Sequence, residues 1–401
     1  MTRSRGRLRQ VLVAGLLLVV CARPSLTQAR TIVVAQDGSG DVTSIQPAVT
    51  LAAEGDTIRI RPGIYTEHEP YIVPGYVFDT YVAVKKDNLT FIGDDRDTVI
   101  IGPPVAEFVG ENEPKGFIGW DEGELQIDTL RIESLTVRNV ANGTNWSGSG
   151  YVRNVRFLGC DTAVIFQAEQ FVEVANVEIR NCRNGILVVP GSIEVKIASC
   201  TVVGSETGID VAGTQDAQIS KCMVESCAVG IQLEQFTKGM VVDCSVVNAE
   251  SGAYNVTTGA TGTLLRCFAG PGARITVNYP DPVSQVISRS FLGLGAEHTV
   301  LFPYILYQQE SLRLNWSDLE VSHPKSIWFF DFGLKAAGPI PIADLTNNYW
   351  ALPDSASIAD VIWDHHDNPL INVIADFVPF QLESTPNRKS SFGGTKARFD
   401  R

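Results

Sequence analysis

A repeat of 22 or 23 residues fills the middle of the chain, from about Tyr151 to Tyr279. One column of this repeat, with steps of 22, 23, 22, 22 and 23 residues, consists of Val155, Val177, Cys200, Cys222, Cys244 and Cys267. A second column with the same steps consists of Val152, Val174, Ile197, Ile219, Val241 and Leu264. A fixed period in the low twenties is typical of a solenoid, because a single repeat of this size cannot bury its own apolar face. The repeat therefore restricts the chain to a stacked, elongated architecture.

Short strands, rather than helices, fill each repeat. Apolar residues alternate over three to five positions, as in Val177 and Ile179 and again in Ile186 and Val188, and this alternation is typical of half-buried strands. Turn-forming residues separate the strands and leave no room for a helix of about ten residues. Parallel strands stacked ~4.8 Å apart satisfy this pattern, and parallel crossovers are right-handed. The sequence predicts an all-β fold, a single right-handed parallel β-helix.

Outward positions of the repeat offer the first candidate site. A column of small residues contains Ala163, Gly185, Gly208, Gly230 and Gly252, and the inward column behind it contains Val164, Ile186, Ile209, Ile231 and Ala253. This alignment predicts an outward column of Ile165, Leu187, Asp210, Gln232 and Tyr254. Asp210 and Glu234 are candidate catalytic carboxylates, since glycoside hydrolysis needs two of them about 5 to 10 Å apart. Gln232 and Tyr254 are candidate substrate-binding residues, and the alternative is a solvated acidic face without a ligand.

Residues 1–29 resemble an export signal. Arginines between Arg3 and Arg9 precede the apolar run Val11 to Val20, which is too short to span a membrane comfortably. Removal of this segment takes five of the 32 basic residues and no acid, so the charge becomes 27 − 45 = −18. Such an acidic chain disfavours nucleic acid and anionic membranes as partners, and also a bare polyanionic polysaccharide unless a bound cation bridges the two. We expect a secreted, periplasmic or cell-surface protein with no membrane span after signal removal, and a polysaccharide or surface glycan as its partner.

Seven cysteines remain after residue 29, and they fall into two inward columns. One is the column from Cys200 to Cys267, and the other contains Cys160, Cys182 and Cys227. Parallel Cβ bonds on neighbouring coils suit the disulfide dihedral poorly. We expect a ladder of buried free thiols that pack as small hydrophobes.

Before the repeat, the pattern predicts a strand at Thr31–Ala35, a helix at Ser44–Ala53 and a strand at Thr57–Arg61. The helix is expected to cover the open end of the stack. After the repeat, the pattern loosens but still predicts strands at Gln285–Ser288, Ser311–Leu314, Ser326–Phe330 and Ile340–Ala343. The predicted organisation is a signal at 1–29, a β-helix at 30–382 and a disordered polar tail at 383–401. Within the β-helix we expect a capping strand and helix at 31–56, regular coils at about 130–283 and looser coils at 284–382.

The opening segments resemble a known superfamily. The similarity rests on Asp37–Asp41, Ser44–Ala48, Gly55–Ile58, Pro62–Glu67 and Leu89–Asp94. These segments are similar to the start of pectin-lyase-like right-handed β-helix proteins, and Asn347–Trp350 resembles the closing segment of secreted bacterial repeat proteins of this type. Ala351 stands where such tails usually carry glycine. The resemblance implies the fold, while the superfamily includes lyases, hydrolases, esterases and non-catalytic members.

The catalytic motifs of these enzymes are not found in this sequence. The Asn-Thr-Asp and paired-Asp pattern of polygalacturonases, the paired aspartates and arginine of pectin methylesterases and the calcium-binding acids of pectate lyases have no convincing counterparts. No cofactor is predicted, with calcium on an acidic ladder as the one candidate ion. The string Asp364–Asp367 is expected to form a strand, on which its two histidines would point to opposite faces and would not share a metal.

Aromatic residues in three interruptions of the repeat pattern offer a second candidate site. The interruptions are Thr66–Asp87, Pro103–Asp128 and Asn142–Gly150, and we expect them to project as loops. Tyr76, Trp120 and Trp146 lie within them and are candidate sugar-binding residues, since aromatic faces stack on apolar patches of sugar rings. The alternative is that they pin the loops onto the first coils.

Three functions remain open from the sequence. The first is carbohydrate binding by a secreted or surface protein without an identifiable catalytic set. The second is a divergent polysaccharide lyase or glycoside hydrolase, and the third is a purely structural surface protein.

Overall fold

The computed structural model describes residues 29–383, with gaps at 74–75, 106–113, 120–126, 168–169, 236, 257–259, 271–273, 278–285, 289, 295–299, 303–312, 316, 322–326, 330–341, 365 and 368–373. Three long sheets wind around one core, and each of the central coils contributes one strand to each sheet. All the strand pairs are parallel except the first pair of the third sheet. The predicted fold class, an all-β right-handed parallel β-helix, is confirmed.

The first sheet contains 14 strands. They are β1 (Thr31–Val34), β2 (Thr57–Ile60), β6 (Thr90–Gly93), β9 (Leu130–Glu133), β12 (Gly150–Arg153), β15 (Phe171–Ala175), β18 (Glu194–Ala198), β21 (Asp216–Ser220), β24 (Lys238–Val242), β27 (Thr261–Leu265), β30 (Val286–Ser288), β33 (Arg313–Asn315), β36 (Ile342–Asp344) and β38 (Ile374–Asp376).

The second sheet contains 11 short strands. They are β3 (Gly63–Tyr65), β7 (Val99–Ile101), β10 (Thr136–Arg138), β13 (Arg156–Leu158), β16 (Glu178–Arg180), β19 (Thr201–Val203), β22 (Met223–Glu225), β25 (Ser245–Val247), β28 (Phe268–Ala269), β31 (Phe291–Leu294) and β34 (Asp318–Val321).

The third sheet contains 13 strands. They are β4 (Glu69–Val73), β5 (Tyr76–Val84), β8 (Lys115–Gly119), β11 (Asn142–Ser147), β14 (Thr162–Gln167), β17 (Asn184–Val188), β20 (Thr207–Ala212), β23 (Val229–Glu234), β26 (Gly252–Val256), β29 (Ile275–Val277), β32 (Val300–Phe302), β35 (Ile327–Phe329) and β37 (Ile362–Trp363).

One left-handed residue turns the chain between the first and second sheets in successive coils. These residues are Asn154, Asn176, Ser199, Lys221, Asp243 and Arg266, with φ between 52° and 56°. Asparagine tolerates this region better than most residues with a side chain. The Asn176 amide also donates a hydrogen bond of 3.2 Å to Oδ1 of Asn154 in the coil before. The turn is therefore built by backbone geometry and, where asparagines stack, by their side chains.

Two helices accompany the coils in the described part of the chain: α1 (Ile45–Leu51) and α2 (Ser355–Asp360). Ile45, Ala48 and Val49 on α1 are buried and belong to the main core cluster. Gln46 on the same helix exchanges two hydrogen bonds with the backbone of Ala83, at 2.9 and 3.2 Å. A helix thus lies where Ser44–Ala53 predicted one, and a side-chain amide ties it to β5.

The loosely patterned C-terminal part also forms the strands that the sequence predicts. β30, β33, β35 and β36 fall within one to two residues of the four predicted segments. The prediction of a strand across Asp364–Asp367 is wrong, because β37 ends at Trp363. Asp364 is buried instead and accepts hydrogen bonds from the backbone N–H groups of His366 and Ala375, both at 2.8 Å. Its carboxylate closes a turn.

The three predicted loops contain strands of the third sheet, so that prediction is wrong. Thr66–Asp87 contains the antiparallel pair β4 and β5, Pro103–Asp128 contains β8, and Asn142–Gly150 contains β11. Glycines obscure the repeat pattern in these segments, because they take the place of side chains. A Cβ atom on Gly150 would overlap the Trp146 ring, and a Cβ on Gly119 would lie 2.9 Å from the Trp146 Cβ. These glycines, which resemble loop residues in the sequence, leave room for a large inward side chain.

The seven cysteines are free and buried, as predicted. The Cys200 Sγ lies 3.4 Å from the carbonyl oxygen of Ala198 and 3.5 Å from that of Val174 in the coil before. The Sγ atoms of Cys222 and Cys244 likewise lie near the carbonyl oxygen two residues earlier in the chain and near one in the coil before. The thiols therefore pack as small core groups whose weak S–H donors face backbone oxygens.

Candidate functional site

An outward row of side chains runs along six consecutive strands of the third sheet, from β11 to β26. Strand register places its members next to one another in the order Asn145, Ile165, Leu187, Asp210, Gln232 and Asn255, which we call the outer row. Each member is half-buried. Five steps of one coil make the row about 24 Å long.

Tyr254 does not belong to the outer row, so its prediction as a surface residue is wrong. Its Cα pairs with that of Ile231 in the inward column, and the side chain is 1% exposed. The single phenol O–H is shared between the carbonyl oxygens of Cys244 and Phe268, which lie 3.1 and 2.9 Å from the phenol oxygen. Burial raises the pKa of Tyr254 well above its usual value. Asn255 takes the outward position instead.

The shift has a simple origin in turn length. Four residues step from Glu225 at the end of β22 to Val229 at the start of β23, whereas five step from Val247 to Gly252 one coil later. One extra turn residue exchanges the inward and outward faces of the strand that follows. An alignment of the repeats by a constant step assumes turns of equal length.

Asp210 is the most perturbed carboxylate of the outer row. Burial, followed by the negative charge of Glu234, raises its pKa to about 7, against a smaller opposing effect of a hydrogen bond from Gln232. Oδ1 of Asp210 is buried and has no hydrogen-bond partner in the described structure. Asp210 is therefore an acid that changes charge near neutral pH and has unused hydrogen-bonding capacity.

A chain of hydrogen bonds leads to this carboxylate. The Asn255 amide donates from Nδ2 to Oε1 of Gln232 at 3.3 Å. The Gln232 side chain in turn hydrogen-bonds to Asp210. The Asn255 side chain lies over Gly252, where a Cβ atom would meet Oδ1 of the amide. The arrangement orders three polar side chains on three successive coils.

Glu234 lies in the neighbouring outward row, because register pairs it with Ala212, two residues beyond Asp210. The structure thus brings together Asp210, Glu234 and Gln232, as the sequence predicted for them. It also brings in Asn255 and Asn145, which the sequence reasoning missed. The repeat spacing could have identified Asn145, since it occupies the same position one coil before Ile165.

The predicted aromatic site is not formed by Trp146. This residue is fully buried, packs edge-on against Phe166 with ring centroids 4.7 Å apart, and donates from Nε1 to the Ser149 carbonyl at 3.3 Å. Its prediction as an exposed sugar-binding residue is wrong, because the inward space beside it is lined by glycines. Trp120 lies outside the described residues, and Tyr76 lies on β5 with its side chain also outside them.

Two cavities lie near the N-terminal coils, between α1 and the β4–β5 hairpin. One of about 240 Å³ is lined by Gln46, Tyr65, His68 and Tyr81 among others, and one of about 470 Å³ by Gln46, Tyr71 and Lys85 among others. The tyrosines are buried in their walls rather than exposed as platforms. The Lys85 ammonium lies 4.7 Å from the centre of the Tyr71 ring. These cavities adjoin the first coils and are separate from the outer row.

Within the described ranges, no three His, Cys, Asp or Glu side chains are grouped to hold an ion. The same part of the chain contains no helix that is both long and apolar enough to cross a bilayer.

Comparison with known proteins agrees with the β-helix architecture. The family model of a right-handed β-helix region matches residues 118–268, which include the strands from β11 to β26 and thus the outer row. The chain is 28% identical over 123 residues to a protein of Arabidopsis thaliana named probable pectinesterase 56. That alignment covers 29% of this chain and 37% of the plant protein.

Proposed function

Since the chain is a pectin-lyase-like right-handed parallel β-helix protein, we propose that it is a secreted or cell-surface protein that binds a polysaccharide along the outer row. The observation that carries the proposal is the polar run Asp210–Gln232–Asn255 on three successive coils. A polysaccharide supplies hydroxyl donors at regular intervals. Ile165 and Leu187 continue the row as an apolar strip, which suits the C–H faces of sugar rings.

Export rests on the N-terminal segment, in which arginines precede an apolar run. The relationship to a protein named as a pectinesterase supports a carbohydrate-related role. N-terminal sequencing of protein recovered outside the cytoplasm is expected to begin near Arg30. Recovery of the chain only inside the cell, with its first residues intact, would contradict this part of the proposal.

The binding test is a glycan array followed by calorimetric titration of the best polysaccharide. We expect Gln232→Ala to weaken binding about tenfold or more, since it interrupts the hydrogen-bond chain and leaves polar partners unsatisfied. Gln218→Ala provides the matched control, because Gln218 is an exposed glutamine on β21 in the first sheet of the same coil. Equal losses in the two variants would place the ligand elsewhere.

A second candidate function, cleavage of the polysaccharide, is favoured by one observation. Asp210 has a pKa of about 7 and lies near a second carboxylate, as expected of a general acid paired with a base or nucleophile. Assays for reducing ends and for unsaturated products test this function. Product release that is lost in Asp210→Asn or Glu234→Gln would establish catalysis, and binding without product would support the first proposal.

A further inference from the structure

The outer face of the third sheet differs in charge from that of the first sheet. The row beside the outer row consists of Ser147, Gln167, Ala212 and Glu234 on strands β11, β14, β20 and β23, with Val189 directly after β17. Together with the outer row, these described positions contain two acidic residues and no lysine, arginine or histidine. An anionic chain lying here would meet carboxylates without a basic side chain in either row.

The first sheet carries cations on its outward face in the same coils, where Arg153 pairs with Glu173 and Lys196 with Glu194. Arg131 and Arg153 flank the Tyr151 ring at 4.8 and 5.1 Å from its centre, and Lys196 lies over Phe171 at 5.4 Å. The fold can therefore place cations on an outward face. At the outer row, the sequence places three amides, one carboxylic acid and two apolar side chains instead.

Acceptor oxygens without a hydrogen bond at the outer row indicate which groups a ligand would supply there. Besides Oδ1 of Asp210, the side-chain oxygen of Asn145 is buried without a hydrogen-bond partner among the described residues. A buried acceptor without a donor is costly. Because neither oxygen is exposed to solvent, each side chain has to rotate outward to meet a donor from a ligand. Hydroxyl groups donate hydrogen bonds, whereas the ionised carboxylates or sulfates of an acidic glycan accept them only.

Apolar residues occupy the middle of the row. Ile165 and Leu187 separate the two sites with unused acceptors, and both are half-buried. An uncharged sugar ring can cover these side chains with its C–H face without moving a charge out of water. An acidic sugar at the same place would lose hydration of its charge, which costs free energy.

We propose that the ligand of the outer row is a neutral, hydroxyl-rich polysaccharide rather than one rich in uronate or sulfate groups. This inference rests on the proposed function, since it names the ligand class of the same site. Once the side chains of Asp210 and Asn145 rotate outward, hydroxyl groups of the polysaccharide donate to them, and its rings cover Ile165 and Leu187.

The test uses the full mature chain with a panel of neutral polysaccharides and acidic ones, each acidic polymer being paired with its carboxyl-reduced form. A chelator in the buffer prevents calcium from bridging carboxylates. We expect at least one neutral or carboxyl-reduced polymer to bind, and every carboxyl-reduced polymer that binds to do so at least tenfold more tightly than its acidic parent. Tighter binding of the acidic parents would overturn the ligand class and leave carbohydrate binding standing. No binding to any polymer would overturn the proposed function itself.

A gain-of-function variant makes the test independent of lost folding. Leu187→Lys places a cation in the outer row, and we expect it to raise affinity for acidic polymers at least threefold. Gln218→Lys adds the same charge on β21 in the first sheet and is expected to leave that affinity unchanged. Equal gains in both variants would show a general effect of charge and would contradict a ligand at the outer row.

Discussion

Replacement of Asp210 by asparagine gives the sharpest test of the electrostatics at the outer row. The folded state holds the pKa of Asp210 at about 7, against 3.8 for an ordinary aspartate. Between these two values the folded state binds more protons than the unfolded state, so stability falls as pH rises. Each unit of pKa difference is worth about 1.4 kcal/mol. Integrated from about pH 5 to 8, the wild-type protein should lose about 2.5 kcal/mol relative to Asp210→Asn, which does not titrate.

Urea unfolding at several pH values measures this difference. The free energy of unfolding of Asp210→Asn minus that of the wild type should increase from pH 5 to 8 and level off above the folded pKa. Asp216→Asn removes an exposed carboxylate on β21 and controls for the change in net charge. A difference between Asp210→Asn and wild type that stays constant over this range would refute the claim that burial and Glu234 perturb Asp210.

Three further predictions concern the core. Tyr254→Phe should reduce the free energy of unfolding by about 1 to 2 kcal/mol, since its hydroxyl donates to Cys244 and Phe268; unchanged stability in urea unfolding would contradict the inward assignment. Gly185→Ala should destabilise by about 1 to 3 kcal/mol, because the added Cβ would overlap the Gly208 carbonyl oxygen, and a thermal melt as high as that of wild type would contradict this crowding. Thiol titration of the mature protein under oxidising conditions should find seven reactive groups in denaturant and few in native buffer, whereas three intact disulfides would contradict the free-thiol ladder.

The candidate site was predictable only in part. Spacing alone placed Asp210, Gln232 and Glu234 on one outward surface, because register between coils of equal length follows from residue counts. The raised pKa of Asp210 was not predictable, since it depends on burial by neighbouring coils and on the orientation of Glu234. The unused acceptor on Asn145 is also hidden from the sequence, because its strand lies in a segment that the repeat pattern predicts to be a loop.

The sequence by itself determined the architecture. A period of 22 to 23 residues with inward valine, isoleucine and cysteine columns leaves stacked parallel strands as the solution, because each apolar face must be buried by its neighbour. Tertiary structure decided which face each side chain occupies where turn length or glycine content changes. One extra residue before Gly252 sends Tyr254 inward and Asn255 outward, and the space left by Gly119 and Gly150 draws Trp146 into the core. Side-chain direction depends on the register and space provided by coils about 20 residues away, and a local pattern contains neither.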